Sequence, residues 1–396
     1  MSAWLVLAVT LGLQAAISAA ALTMPVLAPA AAASFGLQAV QIGLYVGLVY
    51  AGAMASSLAS GTIIRRYGAI RTSQVALLLA AAGLLLGLSG MAWLLVPGAL
   101  VIGFGYGTVT PASSHMLARS APAGRMGLVF SLKQTGVPLG GAIAGLLLPP
   151  VAGHGGWHWG VALSAAICLA AAALAQPLQP ALDADRDPAA QPSRAPLFAP
   201  LRNILSRPAL RDLAAASFVF AAMQLVLTSY LVTFLSGERG LSLGTAGAVM
   251  AMSQAAGIAG RLAWGWMADR LVGPRLLLCL LAAAMAGCAL AFALSGSGWP
   301  VAVLILASIL FGATAIGWNG VFLAEVARLV PREEAGAATG GALFMTYGGV
   351  IAGPPIFAFL IGHGGYGSAF LAFSLALAGL AVFLARSPAA LHTSRS

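Results

Sequence analysis

Twelve stretches of mostly apolar residues, each long enough for one membrane crossing, constrain this chain more than any other feature. About 20 residues carry a helix across the hydrocarbon core of a bilayer. In lipid, a helix satisfies its own backbone N–H and C=O groups, which few other structures can do. The stretches are Trp4–Ala28, Val40–Ile64, Ser73–Trp93, Leu94–Leu117, Met126–Val151, Trp157–Ala175, Leu213–Leu235, Ser242–Ala268, Leu276–Leu294, Val301–Ala324, Ala338–Ile361 and Ser368–Ala385. They predict an all-α membrane protein with twelve transmembrane helices. The third and fourth are nearly continuous, with Ser89-Gly90 and Pro97 marking the turn. Only 7% of residues are charged, against roughly a quarter in soluble domains.

The basic residues give the orientation. When the loops are assigned alternately to two sides, one side collects sixteen arginines, from Arg65 and Arg66 to Arg395, and the other collects Arg239 alone. Lys133 and Arg261 fall inside helices. The positive-inside rule makes the arginine-rich side cytoplasmic, so both termini are expected there, in a plasma (inner) membrane. The net charge of +10 is therefore a topology signal, and no nucleic-acid partner is expected. Trp93, Trp157, Trp159, Trp299 and Tyr366 fall in the opposite turns, as an interfacial aromatic belt would. The N-terminus lacks a basic n-region, so the first stretch is read as a span, not a signal peptide. Cys168, Cys279 and Cys288 lie within apolar runs and read as small core residues.

One long polar segment, Gln176 to Asp212, divides the chain into residues 1–175 and 213–396, six segments each. Its Pro-, Ala- and Asp-rich first part is expected to be a flexible linker. For Leu201 to Arg207 a short surface helix and a solvated loop remain alternatives. The halves repeat each other. Gly61-Thr-Ile-Ile-Arg65-Arg66 with Arg71 matches Gly265-Trp-Met-Ala-Asp269-Arg270 with Arg275, at a constant offset of 204. Ala118-Arg119-Ser-Ala-Pro122 matches Ala327-Arg328-Leu-Val-Pro331, and Thr135 to Gly140 matches Gly348 to Gly353.

With those motifs the chain resembles the major facilitator superfamily of transporters over essentially its whole length. The resemblance implies two pseudo-symmetric six-helix bundles that rock about a central cavity. It implies that the first, fourth, seventh and tenth helices line the cavity, while the second, fifth, eighth and eleventh form the seam between bundles. It also implies a gating role for the loop motif, Gly61, Arg65 and Arg66 in one half and Gly265, Asp269 and Arg270 in the other. The first copy departs from the family pattern, which has an acid where Arg65 stands and would place it against a helix N-terminus. Glu333 and Glu334, just before the eleventh helix, are expected to compensate by pairing with Arg65 and Arg66. The alternative is a set of exposed loop charges that contribute little.

All nine carboxylates fall in loops or near helix ends, so the charges expected within the membrane are positive. Lys133 and Arg261 would lie about 10 Å and 12 Å from the arginine-rich ends of their helices, at 1.5 Å per residue. Buried cations are costly unless something offsets them, and an anionic substrate would. A guanidinium fork suits a carboxylate, and an ammonium adds a point charge. Alternatively, Lys133 snorkels to the headgroups and Arg261 braces the helix end near Asp269. Polar side chains recur on single faces: Thr10, Gln14 and Ser18; Tyr106 and Thr110; Gln224 and Thr228; Thr314 and Trp318, with Asn319 adjacent. Gln134 and Tyr347 complete the candidate binding set, and interhelical hydrogen bonds are the other reading of each residue. His115 reads as an interfacial histidine, and Gly136, Gly140, Gly141 and Gly145 with Pro138 as packing or bending positions. No P-loop, H-E-x-x-H or metal-spaced Cys/His cluster occurs, so neither an enzyme nor a cofactor is expected. The expectation is a secondary transporter of a small organic anion, coupled to a proton or counter-anion. The alternative is an efflux pump for lipophilic molecules.

Overall fold

The computed structural model describes residues 2–120, 129, 132–189, 199–296, 298–330 and 335–386. The long helices are α1 (Ala3–Ala31), α2 (Ile42–Tyr67), α3 (Ala69–Gly87), α4 (Leu95–Ser120), α5 (Gly136–Gly155) and α6 (Trp157–Ala175), then α7 (Pro208–Gly237), α8 (Leu243–Met267), α9 (Pro274–Leu294), α10 (Val301–Gly317), α11 (Asn319–Arg328) and α12 (Ala335–Arg386). Their ends follow the local chemistry. Gly68 (φ 95°) and Gly273 (φ 72°) close the two copies of the loop motif in the left-handed region, where a side chain would be strained. Pro274 starts α9 at a position that needs no backbone N–H. The expected turn between α3 and α4 is present, with Gly90 at φ 73°.

Among the described residues, ten helices are long and apolar enough to cross a membrane. The difference from twelve has two sources. Although α8 has 25 residues, it includes Ser253, Gln254 and Arg261, which lower its hydropathy. The last two expected spans form a single helical stretch, Gly341–Arg386, of 46 residues. That is about 69 Å at 1.5 Å per residue, more than twice the roughly 30 Å hydrocarbon core. The stretch is broken by Gly365, whose φ of 72° and ψ of 179° are not helical.

The residues group by contact into two compact units, Met1–Arg194 with Thr228–Ala251, and Ala195–Leu227 with Met252–Ser396. In the first, α2 and α3 both pack on α4, while α1 packs on α5 and α6. In the second, α9 packs on α12, and the short helix Ala199–Ser206 also lies on α12. That helix answers the question left open for Leu201 to Arg207, and its anchor is the fully buried Ile204.

Two expectations are corrected. Residues 176–189 are not a free tether: Gln176–Leu178 and Gln179–Leu182 are helical turns, and Leu182 and Asp183 are buried. The aromatic belt is also incomplete. Trp93 and Trp159 are exposed, but Trp157 is only 4% exposed, packing on Phe35 and donating its indole N–H to Ser34 Oγ at 3.0 Å. Tyr366 is likewise buried, against Phe357 and Phe370. Both rings therefore face protein and not the surroundings of the helices.

Candidate functional site

In the first unit a polar cluster forms where α1, α4 and the turn before α5 meet. Lys133 is 1% exposed, and its ammonium donates to the Thr110 carbonyl at 3.2 Å and to Ser114 Oγ at 3.4 Å. Thr110 Oγ1 donates to Gln14 Oε1 at 2.9 Å, and Gln14 Nε2 reaches Ser18 Oγ at 3.5 Å. Glycine makes this meeting possible. A Cβ at Gly136 would press on the Gln14 side chain, and one at Gly140 would overlap the Ala15 carbonyl. The cluster is therefore a buried ammonium held by a neutral carbonyl and a hydroxyl, with the Gln14 amide one hydrogen bond further on, and among the described residues no carboxylate pairs with Lys133. Gln134, next in sequence, is half-buried. Tyr106, expected to share a polar face with Thr110, is buried edge-on against Tyr50, with ring centroids 5.3 Å apart.

In the second unit Trp318 is fully buried at the junction of α10 and α11 and donates its indole N–H to Gln224 Oε1 of α7 at 3.0 Å. Phe220 and Phe322 flank it at 5.3 and 5.4 Å. The polar faces of the seventh and tenth spans thus meet in one aromatic-amide group. Asn319 and Tyr347 are half-buried. Arg261 is half-buried on α8, directly after Gly260, where a Cβ would overlap the Ala313 carbonyl of α10. The same carbonyl accepts the Trp264 indole N–H at 2.7 Å.

The two loop motifs end differently. Gly61, Arg65 and Arg66 lie on α2, which remains α-helical to Tyr67, with both arginines exposed. In the second copy Gly265 is on α8, and Asp269 and Arg270 occupy a wider π-helical turn, Ala268–Val272. Glu333 and Glu334, and with them the expected pairing to Arg65 and Arg66, lie outside the described residues.

Sequence reasoning missed a set of acids in residues 183–187. Asp183 is 2% exposed, and its carboxylate accepts the backbone N–H groups of Ile70 (2.8 Å) and Arg71 (3.0 Å). Helix α3 begins after Gly68, which has no side chain to cap it, so Asp183 supplies the cap from 113 residues away. Asp185 lies between His115 Nε2, at 2.7 Å, and the Arg119 guanidinium. Burial pushes the Asp185 carboxyl up, but the His115 hydrogen bond and the Arg119 and His115 charges outweigh it and hold it below the usual aspartate range. The Asp187 N–H donates to the Arg65 carbonyl at 2.7 Å. The available signal was that the first 182 residues contain no acid at all. In the second unit Asp212 faces Arg275, at 3.5 Å with both buried, and Glu325 accepts two hydrogen bonds from Arg328, at 2.8 and 3.0 Å.

These features define a polytopic helical membrane protein with duplicated loop motifs. The family model of the Major Facilitator Superfamily matches residues 9–340, and the chain belongs to that superfamily. Two Mycobacterium tuberculosis proteins, each named as an uncharacterized MFS-type transporter, are 29% identical over 274 residues. The match covers 67% of this chain but only 58% of each relative's length. Among solved structures, the nucleoside transporter NupG superposes with a TM-score of 0.77 at 16% identity, over 97% of this chain and 98% of that one. A D-xylose-proton symporter superposes with a TM-score of 0.75 at 16% identity, over 97% of both chains. These likenesses establish the fold. Substrate choice belongs to the site residues, and the named substrates of those structures already differ.

Proposed function

We propose that the protein is a secondary transporter that moves a small organic anion, a carboxylate in the first instance, by alternating access between two six-helix bundles. In this reading there are twelve spans, residues 1–175 and 213–396 form the bundles, 176–212 connect them, and the arginine-rich end with both termini is cytoplasmic. The observation that carries the proposal is Lys133. Its ammonium is buried against a carbonyl and a hydroxyl, with the Gln14 amide bonded to Thr110 next to them and no acid beside it among the described residues. Removing a cation from water costs several kcal/mol unless an opposite charge offsets it. An anion that binds here supplies that charge, and Gln14, Thr110 and Ser114 supply polar contacts for its oxygens. Arg261 remains in the proposal as a second cation, to be tested by its own substitution. A proton or counter-anion would complete the cycle.

The test is a thermal-stabilisation screen of the purified protein over organic anions, cations and neutral solutes, repeated with Lys133→Ala and Arg261→Ala and followed by flux in proteoliposomes. A carboxylate is expected to stabilise the native protein and to bind at least about tenfold more weakly to Lys133→Ala, the factor for loss of one charged hydrogen bond. A cationic or neutral solute that is transported equally well by both variants would replace this reading with the efflux alternative.

A further inference from the structure

The way α2, α3 and α4 pack leaves a cavity that the transport reading does not use. Along α4, Gly103 and Gly107 sit so close to α2 that a Cβ would overlap the carbonyls of Val49 and Ala53. Gly98 and Gly105 meet α3 in the same way, at the carbonyls of Gly83 and Ala76. Both neighbours are therefore drawn onto α4, along two different lines. Between those lines Val101, Phe104 and Thr108 of α4 form the floor of a groove of about 540 Å³, walled by Ile63 of α2 and by Val75 and Leu79 of α3. Val75 and Phe104 are 47% and 44% exposed, so the groove opens sideways, toward the surroundings of the helices.

Its chemistry is divided along its length. The Ser and Thr hydroxyls that reach the groove are spent on nearby backbone carbonyls: Ser56 on Ala53, Thr72 on Gly68 and Thr108 on Gly105. The walls thus present hydrocarbon and offer a polar solute little. At the end near the α2–α3 turn stand Tyr67 and Arg71. Arg71 is exposed, and among the described residues its guanidinium contacts only Gln176 Oε1, at 3.5 Å. Arg66 lies over the Tyr67 ring, 5.6 Å from its centroid. From Arg71 to Leu79 the groove runs along eight residues of α3, about 12 Å. Arg71 is the third residue of its candidate span, Ala69–Gly87, which puts a cation at the depth of a lipid headgroup and an apolar slot below it.

We infer that this groove is a binding site for an anionic glycerophospholipid, with one acyl chain between α2 and α3 and the headgroup phosphate on Arg71. A free anion would use Arg71 but not the slot, and a zwitterionic lipid would use the slot but gain less from Arg71. Binding would hold the α2–α3 turn, which carries the first copy of the loop motif, against the bilayer surface.

The experiment is native mass spectrometry of the detergent-solubilised full chain titrated with phosphatidylglycerol, phosphatidylcholine or inorganic phosphate. It is repeated with Arg71→Gln, Arg71→Lys and Val101→Phe, each checked for an unchanged melting temperature. Phosphatidylglycerol is expected to be retained over phosphatidylcholine by about fivefold, the factor associated with one basic residue at an anionic surface. That preference should disappear in Arg71→Gln and survive in Arg71→Lys, while Val101→Phe, which fills the slot, should weaken both lipids. Equal retention of the two lipids by the native chain, or a preference unchanged in Arg71→Gln, would overturn the proposal. So would displacement of phosphatidylglycerol by inorganic phosphate, or retention unaffected by Val101→Phe. Should Val101→Phe fail to fold, Val75→Trp at the exposed wall reads the same slot with the same two outcomes.

Discussion

Removing the Asp183 carboxylate should open the start of α3 without unfolding the rest of the chain. The first N–H groups of a helix have no partner within it. Here Gly68 precedes the helix, and Asp183 takes two of those groups, with Gln179 Nε2 donating to the same carboxylate at 3.3 Å. A capping side chain is worth about 0.5–2 kcal/mol, and a negative charge at a helix N-terminus adds about 0.3–1 kcal/mol. Because Asp183 is 2% exposed, the upper part of these ranges applies, and Asp183→Ala should cost about 2 kcal/mol. If the loss is local, it appears as roughly thirtyfold faster hydrogen exchange at the Ile70 and Arg71 amides, at 1.4 kcal/mol per factor of ten. Asp183→Asn, which keeps one acceptor oxygen, should fall between native and alanine. Gly68→Ala should resemble Asp183→Ala, since its new Cβ would overlap the Asp183 carboxyl group at a φ that disfavours it. The two changes together should cost less than their sum, because both break one contact. Exchange at Ile70 and Arg71 within about threefold of native in Asp183→Ala would refute the capping argument.

Two further predictions concern the other acids. Asp185 has a lowered folded pKa, so its contribution to holding residues 183–187 in place is complete above the ordinary aspartate value of about 3.9 and is lost as pH falls through the lowered value. Proteolysis near Asp187 should therefore accelerate below about pH 4, and Asp185→Asn should show the acid rate already at neutral pH; an identical pH profile in the variant would count against the contact. Glu325 is buried while Arg328 is half exposed, so Glu325→Gln should destabilise by only about 1–2 kcal/mol. A melting temperature unchanged in Glu325→Gln would mean that the pair contributes nothing.

What was legible in the sequence followed from local chemistry. Apolar length located the helices, and Ser89-Gly90 with Pro97 located the turn between the third and fourth, because those constraints act within a few residues. The short helix Ala199–Ser206 within the linker was legible only as one of two alternatives, because the contact that decides it, the burial of Ile204, is made with a distant helix. What was not legible depended on partners distant along the chain. The faces bearing Gln224 and Trp318 were each visible as a helical repeat, but no spacing rule says that these two side chains meet. Tyr106 and Thr110 were placed together by periodicity, yet Tyr50 claims one and Gln14 the other. Trp157 looked like an interfacial residue until Ser34 and Phe35 supplied an internal place for it. The linker was misread for the same reason: Pro, Ala and Asp offer little to bury, and the reason to order them lies in unpaired groups on α3 and α4.

That last point bears on why the first copy of the loop motif tolerates Arg65 where an acid is expected. Before Asp183 the chain carries only basic charges, Arg65, Arg66, Arg71, Arg119, Arg125 and Lys133. The second half carries acids beside its own bases: Asp212 faces Arg275, and Glu325 holds Arg328. The first half has to obtain them elsewhere, and residues 183–187 provide them at the equivalent places. Asp183 caps the helix that starts beside Arg71, and Asp185 pairs with Arg119, whose repeat counterpart is Arg328. Backbone contact at Arg65 itself comes from Asp187. The segment after α6 therefore supplies acid to a base-only stretch of chain, in contrast to the Glu325–Arg328 pair, whose two members lie three residues apart on one helix. The acids of the first unit thus reach their partners from far along the chain, and because Asp183 caps α3, losing its contact would open the start of that helix.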